Sequence, residues 1–551
     1  MPKQKPKFRL FSAVLATVCI ILVADAVAPT ASIGNSQYLW WLIMIIGFFI
    51  PYALISAELG TQYPSEGGMY TWIKEAFGKK WASRVAWFYW VNYPLWIASL
   101  ADLATTLLLD TVFGVEMTIQ LALLIQVAYT FIVTALGMMR ISQTAWFANM
   151  GAIVKFIILA GIGGLGIYVL ITQGTANPIE SWHDFIPLLS ADGGIDVAGL
   201  GFVSLIIFNM LGFEVVSTFY DDMDKPKKQV PQAIILGGLL IAIFYLLPSF
   251  GIGVGTPFSE ISEDTGLLES YELLLGSVGL AAGAVKAIIT VVALLFVYTL
   301  IANISSWNFG VYSVIAFAAK DGMFPKSWAK LNKDGVPYVV GIWTGVVALV
   351  LEIVGIVLTY CFPDFELGSS LFWGFFDLSL TCLLMSYIPM FLAFIKLHRR
   401  GVQDKKGYWI KANGAMTALM GIVPFILLLA SLYFTLFPDL VPYAETFSLG
   451  VSTSEEAVVE EEPTEEVEEE LVEAVEAKEL VAGEEVETVE LIDENAEEDE
   501  ALVEEEEVLE EEEGPIANGI LIWSTVACII VGEIMVLRVK NKKPKKATAK
   551  R

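Results

Sequence analysis

Ile21-Leu22-Val23-Ala24-Asp25-Ala26-Val27-Ala28-Pro29-Thr30-Ala31-Ser32-Ile33-Gly34 lies in the first apolar stretch of the chain and carries a carboxylate and a proline near its middle. A carboxylate at bilayer depth costs on the order of 2.5–3.5 kcal/mol. Proline removes a backbone donor and clashes with the carbonyl four residues before it. A span that accepts both is expected to break there and to hold something polar at the break. The plainer alternative is a kinked helix whose Asp25 pairs with another helix.

The surroundings make the stretch a membrane span. Of 551 residues 56% are hydrophobic, with a mean hydropathy of +0.64. About twelve windows reach the ~18 apolar residues that a helix needs to cross the hydrocarbon core. The expected fold is an all-α polytopic membrane protein of about twelve transmembrane helices. The spans are expected at roughly 10–33, 38–59, 83–112, 117–137, 145–172, 197–219, 232–254, 279–318, 338–361, 369–397, 412–437 and 516–538. The basic N-terminus followed by an apolar run imitates a signal peptide. It lacks a small-residue cleavage site, so a retained first helix is expected.

The net charge of −28 belongs to one segment. Residues 451–514 hold 31 Asp/Glu and one lysine, Lys478, which leaves the rest close to neutral. Such charge density forbids a packed core, so disorder or a fluctuating helix is expected there. The segment is either a solvated loop or a lure for cations. Outside it, charge sorts by loop. Lys3–Arg9, Lys74–Arg84, Arg140, Lys225–Lys228, Lys320–Lys333, Lys396–Lys411 and Arg538–Arg551 fall on one side. Acidic loops fall on the other, a positive-inside pattern that puts both termini in the cytoplasm of a multi-pass plasma-membrane protein. The basic tail, 539–551, is expected to touch anionic lipid.

Four scattered cysteines, without a CxxC pair, indicate neither a disulfide framework nor a zinc site. His183 and His398 fall in loops on opposite sides and cannot share a metal. There is no nucleophile motif and no phosphate loop, which argues against an enzyme or an ATP-driven pump. No cofactor and no nucleic-acid partner are expected.

Spans one to five (10–172) and six to ten (197–397) overlay as halves of opposite orientation, because each holds an odd number of spans. The expectation is a five-plus-five inverted repeat of the LeuT type with two extra helices, 412–437 and 516–538. Such repeats place substrate at the midplane between discontinuous helices that lead each half. Span six supplies the counterpart break: Phe208-Asn209-Met210-Leu211-Gly212-Phe213-Glu214 sets an amide, a glycine and a carboxylate inside an apolar run.

Three loops carry a family likeness. Tyr63-Pro64-Ser65-Glu66-Gly67-Gly68-Met69-Tyr70, with Phe77-Gly78, follows span two. Gly212-Phe213-Glu214 with Lys225-Pro226 through Pro231-Gln232-Ala233 follows span six. Asp321-Gly322-Met323-Phe324-Pro325 with Asn332 through Pro337 follows span eight. Together they resemble the amino acid–polyamine–organocation transporter superfamily, over about residues 10–437 and the last span. Ile304-Ser305-Ser306-Trp307 and Asp221-Asp222-Met223 are similar to its glutamate:GABA antiporter branch. The resemblance implies secondary transport of amino acids or related amines by alternating access, proton-coupled or as an antiport. A non-transporting sensor on the same fold is the alternative. The first span departs from the family, which usually has glycines where this chain has Asp25-Ala26-Val27-Ala28-Pro29.

By that resemblance Phe208 and Trp307 match aromatics that gate or cap substrate; packing is the alternative. An aromatic face suits a cationic amine, worth about 0.5–2 kcal/mol. Freed N–H groups near Ala26–Ala31 suit a carboxylate, and carbonyls of Asn209, Met210 and Leu211 before Gly212 suit an ammonium. Tyr89 and Trp96, at i and i+7 of span three, line the site or merely pack. Lys155, mid-span five, matches a lysine that stands in for sodium in proton-coupled members. A desolvated lysine can load and release a proton, or it pairs Asp25 or Asp102. Glu214 relays protons or pins its helix. Asp25 reads a cationic group or neutralises Lys155. The implied partners are a small amino acid or amine, protons and lipid.

Overall fold

The computed structural model describes residues 8–179, 181–188, 198–262, 264–361, 371–437 and 514–539. The acidic segment expected at 451–514, apart from Gly514, and the tail from 540 therefore lie outside the described residues, as do most of the acidic loops after spans five and nine. The chain divides into two units, Met1–Pro442 with Ile516–Arg551, and Tyr443–Pro515. The membrane helices belong to the first of them.

Among the described residues the regular structure is helical, with one isolated bridge between Phe8 and Met223. Ten helices are long and apolar enough to cross a membrane. They are span two (Gln37–Gln62), three (Lys79–Phe113), four (Ile119–Gly137), five (Ile141–Thr172), seven (Pro226–Gly255), eight (Ala282–Asp321), nine (Tyr338–Cys361), ten (Leu371–His398), eleven (Gly414–Leu436) and twelve (Gly519–Leu537). Spans one and six are in pieces, as the sequence leads one to expect. Span one is Leu10–Ile21 and Val27–Ala31; span six is Val203–Phe208 and Phe213–Thr218.

The spans are apolar on both sides, so hydropathy does not decide which side faces in. Small residues do, because lipid offers helices no hydrophobic reason to associate and close packing must supply it. Span nine buries Gly341, Thr344, Gly345, Ala348 and Gly355 at helical spacing, and turns Ile342, Val346, Val350, Ile353 and Val357 outward. Spans five and seven go further. A Cβ on Gly166 would lie 2.5 Å from the Gly251 Cα, and one on Gly251 would lie 2.4 Å from the Ile162 carbonyl oxygen, so the two backbones touch directly.

The three family-like loops meet at the end of the bundle that carries the basic loops. The Arg140 guanidinium donates to both oxygens of Asp222 (3.0 Å each) and to Glu66 (2.8 Å), while its plane sits 5.0 Å over the Phe309 ring. The fork geometry of arginine suits such a two-carboxylate clamp. Asp321 takes Lys74 and Lys79 at 2.5 and 2.6 Å and the Tyr70 hydroxyl at 2.7 Å. Asn332 turns its own loop through the N–H groups of Asp334 and Val336, and reaches the Met138 carbonyl at 2.7 Å. Nearby, Glu58 accepts from His398 (2.7 Å) and the Ile410 N–H (2.9 Å), fastening the loop after span ten to span two.

Candidate functional site between the two breaks

Span one opens between Ile21 and Val27, and the reason is more specific than proline alone. Pro29 lies in the first turn of the second piece, where its missing N–H is not needed. The break itself falls at Leu22–Ala26, so Pro29 starts a helix rather than ending one.

The carbonyls left free where Leu10–Ile21 ends are each taken by a side chain from another span. Lys155 Nζ donates to Cys19 O at 2.9 Å and also to Leu22 O. Asn303 Nδ2 donates to Cys19 O (2.9 Å) and Ile20 O (3.1 Å), and Trp307 Nε1 to Ile20 O (2.9 Å). The Tyr245 hydroxyl reaches Ile21 O at 2.8 Å and accepts from the Val23 N–H at 3.1 Å. A cation and oriented donors at a helix C-terminus offset its partial negative charge. Lys155 is thus spent on the backbone, and among the described residues it forms no ion pair with Asp25 or Asp102.

Span six opens at Asn209–Gly212. Gly212 has φ +125°, outside what an L side chain tolerates, and a Cβ there would meet Trp307 and Ile20 at 2.9 Å. Asn209 ties the two breaks together: its Nδ2 donates to Ala26 O (3.3 Å), and its carbonyl, 2.5 Å from the Tyr245 hydroxyl, shares that hydroxyl's one proton with Ile21 O. That carbonyl, expected to face a ligand, is therefore occupied. Met210 and Leu211 are buried within the break. Glu214 stands in the first turn of Phe213–Thr218, where a negative charge is favoured. It accepts from the Tyr52 and Tyr89 hydroxyls, the latter at 2.7 Å, and Tyr52 also receives the Gly212 N–H at 3.0 Å. These bonds pin the second half-helix.

The four aromatics singled out in the sequence converge. Trp96 meets Phe208 edge-on at 5.6 Å and Trp307 at 5.5 Å; Tyr89 lies 6.3 Å from Trp307. Phe376 of span ten closes on Phe208 at 4.8 Å. Tyr52, Tyr245, Asn303 and Phe376 belong to this group too and escape sequence reasoning. Only Asn303 leaves a trace, one turn before Trp307 on the same helix.

Asp25 is the exception to this satisfaction. It is 5% exposed, and neither carboxylate oxygen finds a hydrogen-bond donor on another residue. Ala26, Val27 and Ala28 beside it are buried as well. The oxygens of Asn209 and Asn303 that do not share in the bonds above are also unpartnered, as is the Trp96 indole N–H. Buried polar groups are nearly always paired, so the unpaired acceptors of Asp25, Asn209 and Asn303 suit a ligand with N–H donors and positive charge, whereas the Trp96 N–H can only donate.

A model of the amino acid permease family matches residues 8–448. The chain is 39% identical over 439 residues to a protein of Lactococcus lactis subsp. lactis described as a probable agmatine/putrescine antiporter, covering 80% of this chain and 90% of that one. It is 22% identical over 444 residues to the glutamate/gamma-aminobutyrate antiporter of the same organism, covering 79% and 84%. Among solved structures, a manganese transporter of Eremococcus coleocola aligns over 96% of this chain and 95% of that one, at 14% identity and a TM-score of 0.47.

Proposed function

The chain belongs to the amino acid permease family, and from that premise we propose that it exchanges small cationic amines across the plasma membrane by alternating access, with both termini in the cytoplasm. The observation that carries the reading is Asp25. A buried carboxylate without a hydrogen-bond donor on another residue costs several kcal/mol, and Lys155, whose charge it feels, does not pair with it because the ammonium is held by carbonyls of the broken helix. A primary ammonium or a guanidinium supplies the missing charge and the missing donors at once.

Asp25 also argues for an amine over an amino acid. It precedes the half-helix Val27–Ala31, so its own charge already complements that helix end and opposes a second carboxylate. The Lactococcus relative at 39% identity is named for agmatine and putrescine, ligands of this class. Trp96, Phe208 and Trp307 give the cation aromatic faces, and Ala26–Pro29 with Asn209–Gly212 form the walls. Lys155 and Glu214 remain the proton-coupling candidates of the central site, each acting through the helix end it holds. Family and relatives favour transport over sensing.

The test is counterflow in proteoliposomes preloaded with putrescine. External agmatine, putrescine, arginine, glutamate and γ-aminobutyrate compete, with and without a proton gradient. Agmatine and putrescine are expected to exchange, and Asp25→Asn to weaken them about tenfold or more, equivalent to ~1.4 kcal/mol. Exchange confined to the amino acids, or an Asp25→Asn variant with unchanged amine affinity, overturns the proposal. A sensor moves none of them.

A further inference from the structure

Away from the breaks, spans three, four and nine enclose a second buried polar group. Span four buries Gln126, Tyr129, Thr130 and Val133 on one face. Span nine meets it through Gly345, where a Cβ would lie 2.6 Å from the Thr134 hydroxyl, and carries Glu352 two turns further on. Glu352 is 1% exposed. Thr130 donates to its Oε1, and Oε2 has no partner. Gln126 donates to Asp102 Oδ1 of span three at 2.9 Å.

The charged groups that face this acid are all acids. Asp102 lies within range of its charge, and Asp264, in the loop after span seven, within range of Asp102. On the other side the Tyr129 hydroxyl, buried and unpartnered, feels the charges of both Glu352 and Asp25. Among the described residues no lysine, arginine or histidine is ion-paired with Glu352, Asp102 or Asp25. A buried negative charge without a cation is costly, and two carboxylates in one field make it costlier. A proton on Oε2 removes that charge without a counter-ion.

We propose that Glu352 is a proton-carrying residue of the transport cycle, on a route that leads from Asp25 past Tyr129 to Asp102 and Asp264 and is separate from Lys155. The inference rests on the reading of Asp25 as the cation site. With Asp25 unoccupied, the proton sits on Glu352. When a cation binds Asp25, the Glu352 O–H bond breaks, leaving the carboxylate and passing one proton by way of Asp102 to the acidic-loop face; Tyr129, which interacts with both acids, links the two events. Amine and proton thus compete through charge without sharing a site, which is the requirement for their opposed movement.

The experiment uses the full chain in vesicles loaded with a pH-reporting dye, with putrescine added outside. Glu352→Gln keeps the shape and the oxygen that accepts from Thr130. It is expected to reduce putrescine-driven proton flux to the level of protein-free vesicles while putrescine-for-putrescine counterflow continues. Tyr129→Phe, which removes one hydroxyl, is expected to slow the proton flux with counterflow intact and serves if the first variant folds poorly. Unchanged proton flux per putrescine in Glu352→Gln overturns the proposal, as does a wild-type protein that exchanges putrescine with no proton movement. A protein that carries no amine refutes the proposed function instead. In that case infrared difference spectra across a pH step still decide, because the protonated-carboxyl band must be smaller in Glu352→Gln than in wild type.

Discussion

The ammonium of Lys155 hydrogen-bonds the Cys19 carbonyl at 2.9 Å instead of meeting a carboxylate. The central cation of span five therefore serves as the end-piece of a broken helix, and the acid six residues further along span one is left for something else.

Lys155→Ala removes the donor of the Leu22 carbonyl, which costs about 1–3 kcal/mol when left unpaired, while Cys19 O keeps its bond from Asn303. Net proton-coupled uptake is expected to be abolished, with a lowered melting temperature in detergent. Uptake that keeps its full dependence on a pH gradient would falsify the coupling role.

Gly212→Ala places a Cβ at φ +125° against Trp307 and Ile20. The strain is of order 1–3 kcal/mol. Transport is expected to fall steeply in protein that still inserts, while Gly174→Ala, also at positive φ but with open space around it, serves as the control for backbone strain alone. Equal losses in the two variants would mean that the contact with Trp307 is irrelevant.

Arg140→Lys keeps the charge but loses the fork that spans Asp222 and Glu66. A double-mutant cycle with Asp222→Asn, read by thermal melting, is expected to give a coupling of about 1.5–3 kcal/mol, the range for hydrogen bonds to charged groups. Additive effects would show that the clamp adds no stability.

Deletion of residues 452–513 is expected to leave exchange largely intact, since a run of that charge density has no core to contribute. Loss of exchange in a deletion variant that inserts normally would give the acidic segment a role in transport.

The fold and the two helix breaks are legible in the chain, because bilayers punish polarity. Asp25, Asn209, Gly212 and Lys155 each interrupt an apolar run, and the break in each of spans one and six follows from them. What those residues touch is not legible. Backbone carbonyls have no sequence signature, so nothing announces that Lys155, Asn303, Trp307 and Tyr245 all converge on four consecutive carbonyls. Tyr52 and Tyr245 look like ordinary interior aromatics until their hydroxyls are placed. Glu352 is likewise a lone acid in an apolar run, but it sits in an unbroken helix, so nothing in the chain singles it out. Pro29 shows the opposite hazard: the residue type is informative, yet it begins the second helix piece and does not cause the gap.

The backbone contact between Gly166 and Gly251 has a mechanical meaning. No side chain separates spans five and seven at that point, and elsewhere along the seam Leu247 fills against Gly163 and the Phe156 and Phe244 rings lie 4.3 Å apart, so a slide by a fraction of a turn runs into backbone and packed rings. Lys155 rides on one and Tyr245 on the other, so the two fingers that grip the broken end of span one keep a fixed spacing. Any rocking that opens the path to either side must carry this pair as one lever, with the slack taken up elsewhere in the bundle.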